Sequence, residues 1–335
     1  MMNKRLKQGT TFLLALALAF PLLTLPGARA ANAIETNRKC SVAFNVSGED
    51  NELTADGTDI IVNLYKVADV DVSGNYTATK DFTGLNVSSV SADDKDAAAS
   101  EWADRAKEAQ KKLKESVEPT ATVTLAAGTG SLADLATGLY LVDTPEVVTT
   151  NYTYTFTPYL VSLPTNNYYS NGNDDWIYDL TKEYNSAVGL KPEEHARYGD
   201  LKINKTLAHH NATTGKKATF VFKIEITPLK GKTETRIESL DFEAAGDSSV
   251  TITKIPAGAT VKVTEVYSGA SYKLISENDQ ETTIVATDKD AKGDPASVSF
   301  TNDVDDNMNG GYGVKNNFKL DENGQYQYTE PAEKN

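Results

Sequence analysis

The sequence predicts an all-β chain of two β-sandwich domains in tandem, the first carrying a helical insertion. Three observations point to it. Short runs in which apolar and polar residues alternate, rich in Thr, Val and Tyr, recur between clusters of turn residues along most of the chain. Residues 91–118 change instead to helical spacing. Behind an N-terminal export signal about 300 residues remain, which suits two domains of ordinary size.

The export signal comes first. Lys4, Arg5 and Lys7 precede the apolar run FLLALALAFPLLTL and then Ala28-Arg29-Ala30; these are the charged region, hydrophobic region and small-x-small cleavage site of a secretory signal peptide over residues 1–30. Pro21 interrupts a run already shorter than the ~20 residues that span a bilayer, so a mature chain without a membrane span is expected. Cleavage removes four positive and no negative charges, taking the formal net charge from −14 to −18. So acidic a chain suits neither nucleic acid nor an anionic membrane surface. The single Cys40 excludes a disulfide within the monomer. It shares strand parity with Val42, Phe44 and Val46, so a buried, inert thiol is expected in place of a lipid anchor or an intermolecular bridge. An exported protein without disulfides calls for another staple.

In the first domain, residues 31–197, KCSVAFNV and DIIVNLYKV read as strands separated by the polar loop SGEDNELTADGT. Within the insertion, Trp102, Ala106, Ala109 and Leu113 recur at helical spacing with Ser91 as the cap, an amphipathic helix whose Trp plugs the core. Strands resume with TATVTLAAG, GLYLVDTP and YTFTPYLVSLP. The stretch WIYDLTKEYNSAVGLKPEEHARYG is polar, carries Pro192 and reads as the linker, with a boundary near Arg197. Beyond the second domain, residues 198–304, the tail 305–335 contains FKLDENGQYQYTE, a hairpin pattern with Asn323-Gly324 at its turn.

The second domain places three polar residues where alternation reserves room for the core. In GDLKINKTL the inward set is Leu201, Ile203 and Leu207, and Lys205 falls on that face. In TVKVTEVYS the parity of Val261, Val263 and Tyr267 includes Glu265, and in ASVSFTND that of Ala296, Val298 and Phe300 leads to Asn302. Lys and Glu are almost never fully buried unless paired. Two readings follow. The bland one is a buried Lys205–Glu265 salt bridge, with Asn302 satisfying a nearby backbone group. In the sharper one, burial favours the neutral amine, which attacks the Asn302 carboxamide while Glu265 polarises the amide and moves protons. The product is an intramolecular isopeptide bond made without a cofactor. Proximity inside a finished fold contributes ~7–11 kcal/mol to such a step.

The Lys of the opening strand, the Glu of PAGATVKVTEV and the Asn of SFTND make residues 199–304 resemble the isopeptide-forming domains of Gram-positive surface proteins. These are the CnaB-type repeats of collagen adhesins and the FctA-like domains of streptococcal major pilins. The resemblance implies immunoglobulin-like (CnaB-type) sandwiches, with Lys205 as nucleophile, Asn302 as acceptor and Glu265 as proton shuttle. In the first domain LADLATGLYLVDT, PYLVSLPTNN and Trp176 resemble the N-terminal domain of sortase-assembled pilins. Such pilins carry a lysine that sortase joins to the next subunit; Lys191 in VGLKP is the nearest match, an ordinary solvated lysine being the other reading. Lys66, Asp143 and Asn167, each at core parity in its own strand, form a candidate second triad with Asp in place of Glu. The chain ends QYQYTEPAEKN without an L-P-x-T-G-like motif, which leaves its anchoring open.

The expected protein is therefore extracellular and associated with a Gram-positive cell surface, a pilin-like or adhesin-stalk subunit. Its expected partners are other pilin subunits, sortase or a host surface ligand. The alternative is a secreted adhesin module that binds a host glycan or matrix protein on loops such as PTNNYYSNGNDDW. No enzyme acting on another molecule is indicated. His195, His209 and His210 lack zinc spacing, there is no G-x-S-x-G elbow or phosphate loop, and DKDAKGD lacks the spacing of a calcium loop. Neither metal nor cofactor is expected.

Overall fold

The computed structural model describes residues 23–24, 32–46, 52–55, 57–91, 95–113, 117–166, 176–181, 188–212, 217–269, 271–288, 294–305, 317–320 and 326–329. The chain divides into two units, one up to Arg197 and one from Tyr198. Both are built as layered β-sandwiches. The expected signal peptide lies outside the described residues apart from Leu23–Thr24, which pair in parallel with Val90–Ser91.

Among the described residues, the strands of the first unit longer than two residues are β1 (Cys40–Asn45), β2 (Ile60–Val70), β3 (Tyr76–Ala78), β4 (Ala121–Leu125), β5 (Thr129–Leu135), β6 (Gly138–Asp143), β7 (Tyr152–Phe156), β8 (Tyr159–Leu163) and β9 (Pro192–Ala196). One sheet runs β8–β6–β2–β3, with β4 also paired to β2. A second is centred on β1, flanked by antiparallel β5 and by parallel ladders from Asp179–Leu180 and Val188–Gly189. The core between them takes Val42 and Phe44 from β1, Val62 and Leu64 from β2, and Tyr140 and Val142 from β6. Cys40 joins it as expected, its thiol pushed up to about 11 chiefly by burial.

The alternation along β2 fails because both its faces are covered. Val62 and Leu64 look into the sandwich, whereas Tyr65 and Val67 pack under the helix α1 (Lys95–Lys112). That helix is rich in good helix formers, with Asp96 in its first turn and Lys111 and Lys112 in its last, as the helix dipole favours. It buries Ala98, Trp102, Ala106 and Ala109 against β6 and β8. Trp102 is the expected plug, with the Arg105 guanidinium 4.4 Å from its ring centroid. The helix is shorter than the expected insertion, and Ser91 is not its cap, since it belongs to the two-residue ladder with Thr24. No helix among the described residues is long and apolar enough to cross a membrane.

The expected linker is a correction. Trp176–Ile177 pairs with Thr165–Asn166, the two ladders on β1 follow, and β9 pairs antiparallel with β7. Apolar alternation outweighs polar composition there: Tyr178, Leu180, Val188 and Leu190 are all buried. The run YTFTPYLVSLP likewise divides into β7 and β8, which enter different sheets.

The second unit contains β10 (Tyr198–Leu207), β11 (Ala218–Thr227), β12 (Glu234–Phe242), β13 (Gly246–Pro256), β14 (Thr260–Tyr267), β15 (Tyr272–Leu274), β16 (Asp279–Thr283) and β17 (Ala296–Val304). They form two four-stranded sheets, β13–β10–β17–β15 and β12–β11–β14–β16. Opening strand β10 and closing strand β17 are hydrogen-bonded neighbours running parallel. Between the sheets lie Leu201, Ile203, Phe220, Phe222, Val263 and Phe300, among others. The tail hairpin pairs β18 (Asn317–Leu320) with β19 (Tyr326–Thr329), Phe318 opposite Tyr328; its expected turn at Asn323-Gly324 lies outside the described residues.

Gly199 marks the tightest approach in this unit. A Cβ there would stand 1.8 Å from the Val285 carbonyl oxygen and 2.8 Å from Ile284 Cγ2. Since backbone yields less readily than a side-chain tip, Gly199→Ala is expected to destabilise the unit by at least ~1–3 kcal/mol. A lower urea midpoint for the variant than for the parent chain checks this.

Candidate functional site

Lys205, Glu265 and Asn302 meet at the centre of the second sandwich. Strand alternation sends each inward with its apolar neighbours, and the side chains of Lys205 and Glu265 are 0% exposed, as is Asn302. In the parallel register Lys205 lies opposite Phe300 and Leu207 opposite Asn302. Lysine and asparagine are therefore diagonal neighbours on adjacent strands of one sheet, a separation that a long side chain spans. Glu265 arrives from the facing sheet. It sits at a bulge, where β14 shifts register against β11 from Tyr267 opposite Val221 to Glu265 opposite Phe222. Such a bulge re-aims a side chain locally.

The three side chains close a triangle. The Lys205 Nζ donates to Asn302 Oδ1 and lies 2.9 Å from Glu265 Oε2. Asn302 Nδ2 donates to Glu265 Oε1 at 2.6 Å. The third neighbour of the amine is aromatic, the Phe220 ring centroid 4.5 Å from Nζ. Phe222 and Phe300 pack together at 5.1 Å within the same core. Burial pushes the Lys205 amine below the ordinary lysine range, against an upward pull from the hydrogen bond and charge of Glu265. A less basic amine held against a carboxamide, with a carboxyl group reaching both, has the parts of an acyl transfer to nitrogen.

Sequence reading missed the aromatic wall. The inward set Phe220, Phe222 and Ile224 is legible in ATFVFKIEIT, yet nothing in a single strand says which ring will face the lysine. The second candidate triad is not assembled. Lys66 lies opposite Tyr140, on the sandwich side of the first sheet, and pairs with Asp69 at 2.6 Å. Asp143 shares the other face with Leu139 and Leu141 and accepts from Gln110 of α1 at 2.6 Å. Each residue shares the apolar parity of its own strand, but the two apolar sides are opposite faces of the sheet. Asn167 lies outside the described residues. Lys191 is exposed just before β9, its carbonyl accepting from the Thr157 N–H at 3.2 Å. Among the described residues no three His, Cys, Asp or Glu gather closely enough to hold a metal ion.

A family described as a domain of unknown function (DUF5979) matches residues 201–305. No curated protein matches the chain. Solved structures similar to it include the TIE protein of Bacillus anthracis, at 12% identity and a TM-score of 0.31 over 79% of this chain and 34% of that one. The chain thus spans about a third of the TIE chain. Also similar are the minor pilin GBS52 of Streptococcus agalactiae (13% identity, TM-score 0.23, 79% and 96% covered) and the major pilin SpaA of Corynebacterium diphtheriae (11%, 0.23, 79% and 100%). At TM-scores of this size the likeness carries no argument, and function has to be read from the buried site.

The lowered basicity of Lys205 sets a pH dependence. With a folded pKa below the ordinary 10.5, the unfolded chain binds this proton more readily than the folded one. In an Asn302→Ala chain, where the amine stays free, the Lys205 contribution to stability is then most favourable above 10.5 and is lost as pH falls from there towards the folded pKa. Urea midpoints measured across alkaline pH check it, with Lys205→Met/Asn302→Ala as the reference that lacks this titration.

Proposed function

We propose that this protein is a structural, pilin-like or adhesin-stalk subunit of a Gram-positive cell surface, whose second domain locks itself with an isopeptide bond between Lys205 and Asn302. The observation that carries this reading is the closed, water-excluded triangle of Lys205, Glu265 and Asn302. In the reaction, the lone pair of Lys205 Nζ attacks Asn302 Cγ, and the carbonyl electron pair moves onto Oδ1. Glu265 takes a proton from Nζ and passes it to Nδ2. The electron pair on Oδ1 then re-forms the carbonyl as the Cγ–Nδ2 bond breaks and ammonia leaves. One C–N bond replaces another, so neither oxidant nor cofactor is needed, and the chain acts on itself alone.

The bond would close a loop between positions 97 residues apart. Treated like a disulfide closing a loop of that size, it restricts the unfolded chain by about 4–5 kcal/mol. Export, surface location and assembly with sortase or other pilin subunits draw on the signal-peptide pattern and the pilin-like motifs of the sequence. Lys191 is the lysine assigned to inter-subunit linkage, and its exposure leaves it accessible to a sortase.

Intact-mass measurement of the purified chain tests the bond. The mass is expected to fall short of the sequence by one ammonia, and Lys205→Ala, Asn302→Ala and Glu265→Ala are expected to keep the full mass. A wild-type chain with no deficit overturns the reading.

A further inference from the structure

The short crossover Ile275–Asn278 joins β15, which edges the sheet holding Lys205 and Asn302, to β16, which edges the sheet holding Glu265. Its residues grip both sides of the triangle. Towards the acceptor, Ile275 N–H donates to the Thr301 carbonyl at 2.9 Å, and the Thr301 N–H donates to Ser276 Oγ at 3.1 Å, next to Asn302 in the chain. Towards the shuttle, the Glu265 N–H donates to Asn278 Oδ1 at 2.9 Å.

That last contact stands in for a missing strand. The β14–β16 ladder ends at Thr264 opposite Asp279, so no backbone of β16 meets Glu265, and on the other side the β14 bulge disturbs its pairing with β11. The Glu265 main chain is thus fixed from the crossover by one side-chain amide. Asn278 itself is exposed and its bond to the Glu265 N–H is only part-buried, so water that takes the place of the Asn278 amide can reach that N–H and limit the cost to the fold. The carboxyl group has no such latitude, since it must reach the Lys205 amine and the Asn302 amide together. We propose that Asn278 is a positioning residue for cross-linking: from the crossover that also holds Thr301, it sets the place of Glu265 against Lys205 and Asn302.

This role rests on the cross-link reading, and the test separates the two. Full-length chain is made in a cell-free reaction, quenched at intervals into acidic denaturant, and followed by intact mass. Asn278→Ala is expected to lose its ammonia about 10- to 100-fold more slowly than wild type, the scale on which small misplacements act. Asn278→Asp keeps the acceptor oxygen and is expected to return to nearly the wild-type course. In the non-reacting Glu265→Gln background, adding Asn278→Ala is expected to leave the circular dichroism spectrum and urea midpoint unchanged. An Asn278→Ala chain on the wild-type course, an Asn278→Asp chain as slow as Asn278→Ala, or a fall in that midpoint overturns the positioning role. No ammonia loss in wild type instead overturns the cross-link, and the role of Asn278 falls with it.

Discussion

An amine withdrawn from water must find groups that replace its hydration, and much of the second domain answers that demand. Two adjacent parallel strands bring the Lys205 amine to the Asn302 amide, and a bulge in the facing sheet delivers Glu265 to both. Phenylalanine rings fill the space that solvent would otherwise enter. A buried ion pair seldom stabilises a fold more than hydrocarbon of equal volume does. As the starting point of the proposed reaction the arrangement would gain more than as a salt bridge, because the product amide would carry no charge to desolvate.

The first domain solves a different packing problem. Its strand β2 must be apolar on both faces, since one lies in the sandwich and the other under α1. Inward therefore has two meanings in that sheet. Lys66 and Asp143 satisfy one each, and their charges go to local partners, Asp69 and Gln110. In the second sandwich inward has one meaning, which is why three polar residues chosen by parity there do meet.

This difference decides how much of the molecule was legible in the sequence. The strands holding Lys205, Glu265 and Asn302 could be read with their faces, because period-two alternation survives wherever one face is wet. The helix was legible from the spacing of Trp102, Ala106 and Ala109, though not its ends. What escaped was contact between elements distant in sequence: the pairing of Asp179–Leu180 and Val188–Gly189 with β1 and of β9 with β7, the ring of Phe220 over Nζ, and the hold of Asn278 on Glu265. Each depends on which strands become neighbours, and a single chain's periodicity does not encode that.

Because β10 and β17 run parallel, the second domain is entered at one pole and left at the other. With the amide bond in place, a stretching force between Tyr198 and Val304 would travel up β10 to Lys205, cross to Asn302 and leave. Residues 206–301 would lie off the force path, and the reach of the domain under traction would be set by little more than a strand's length instead of the contour of its whole chain.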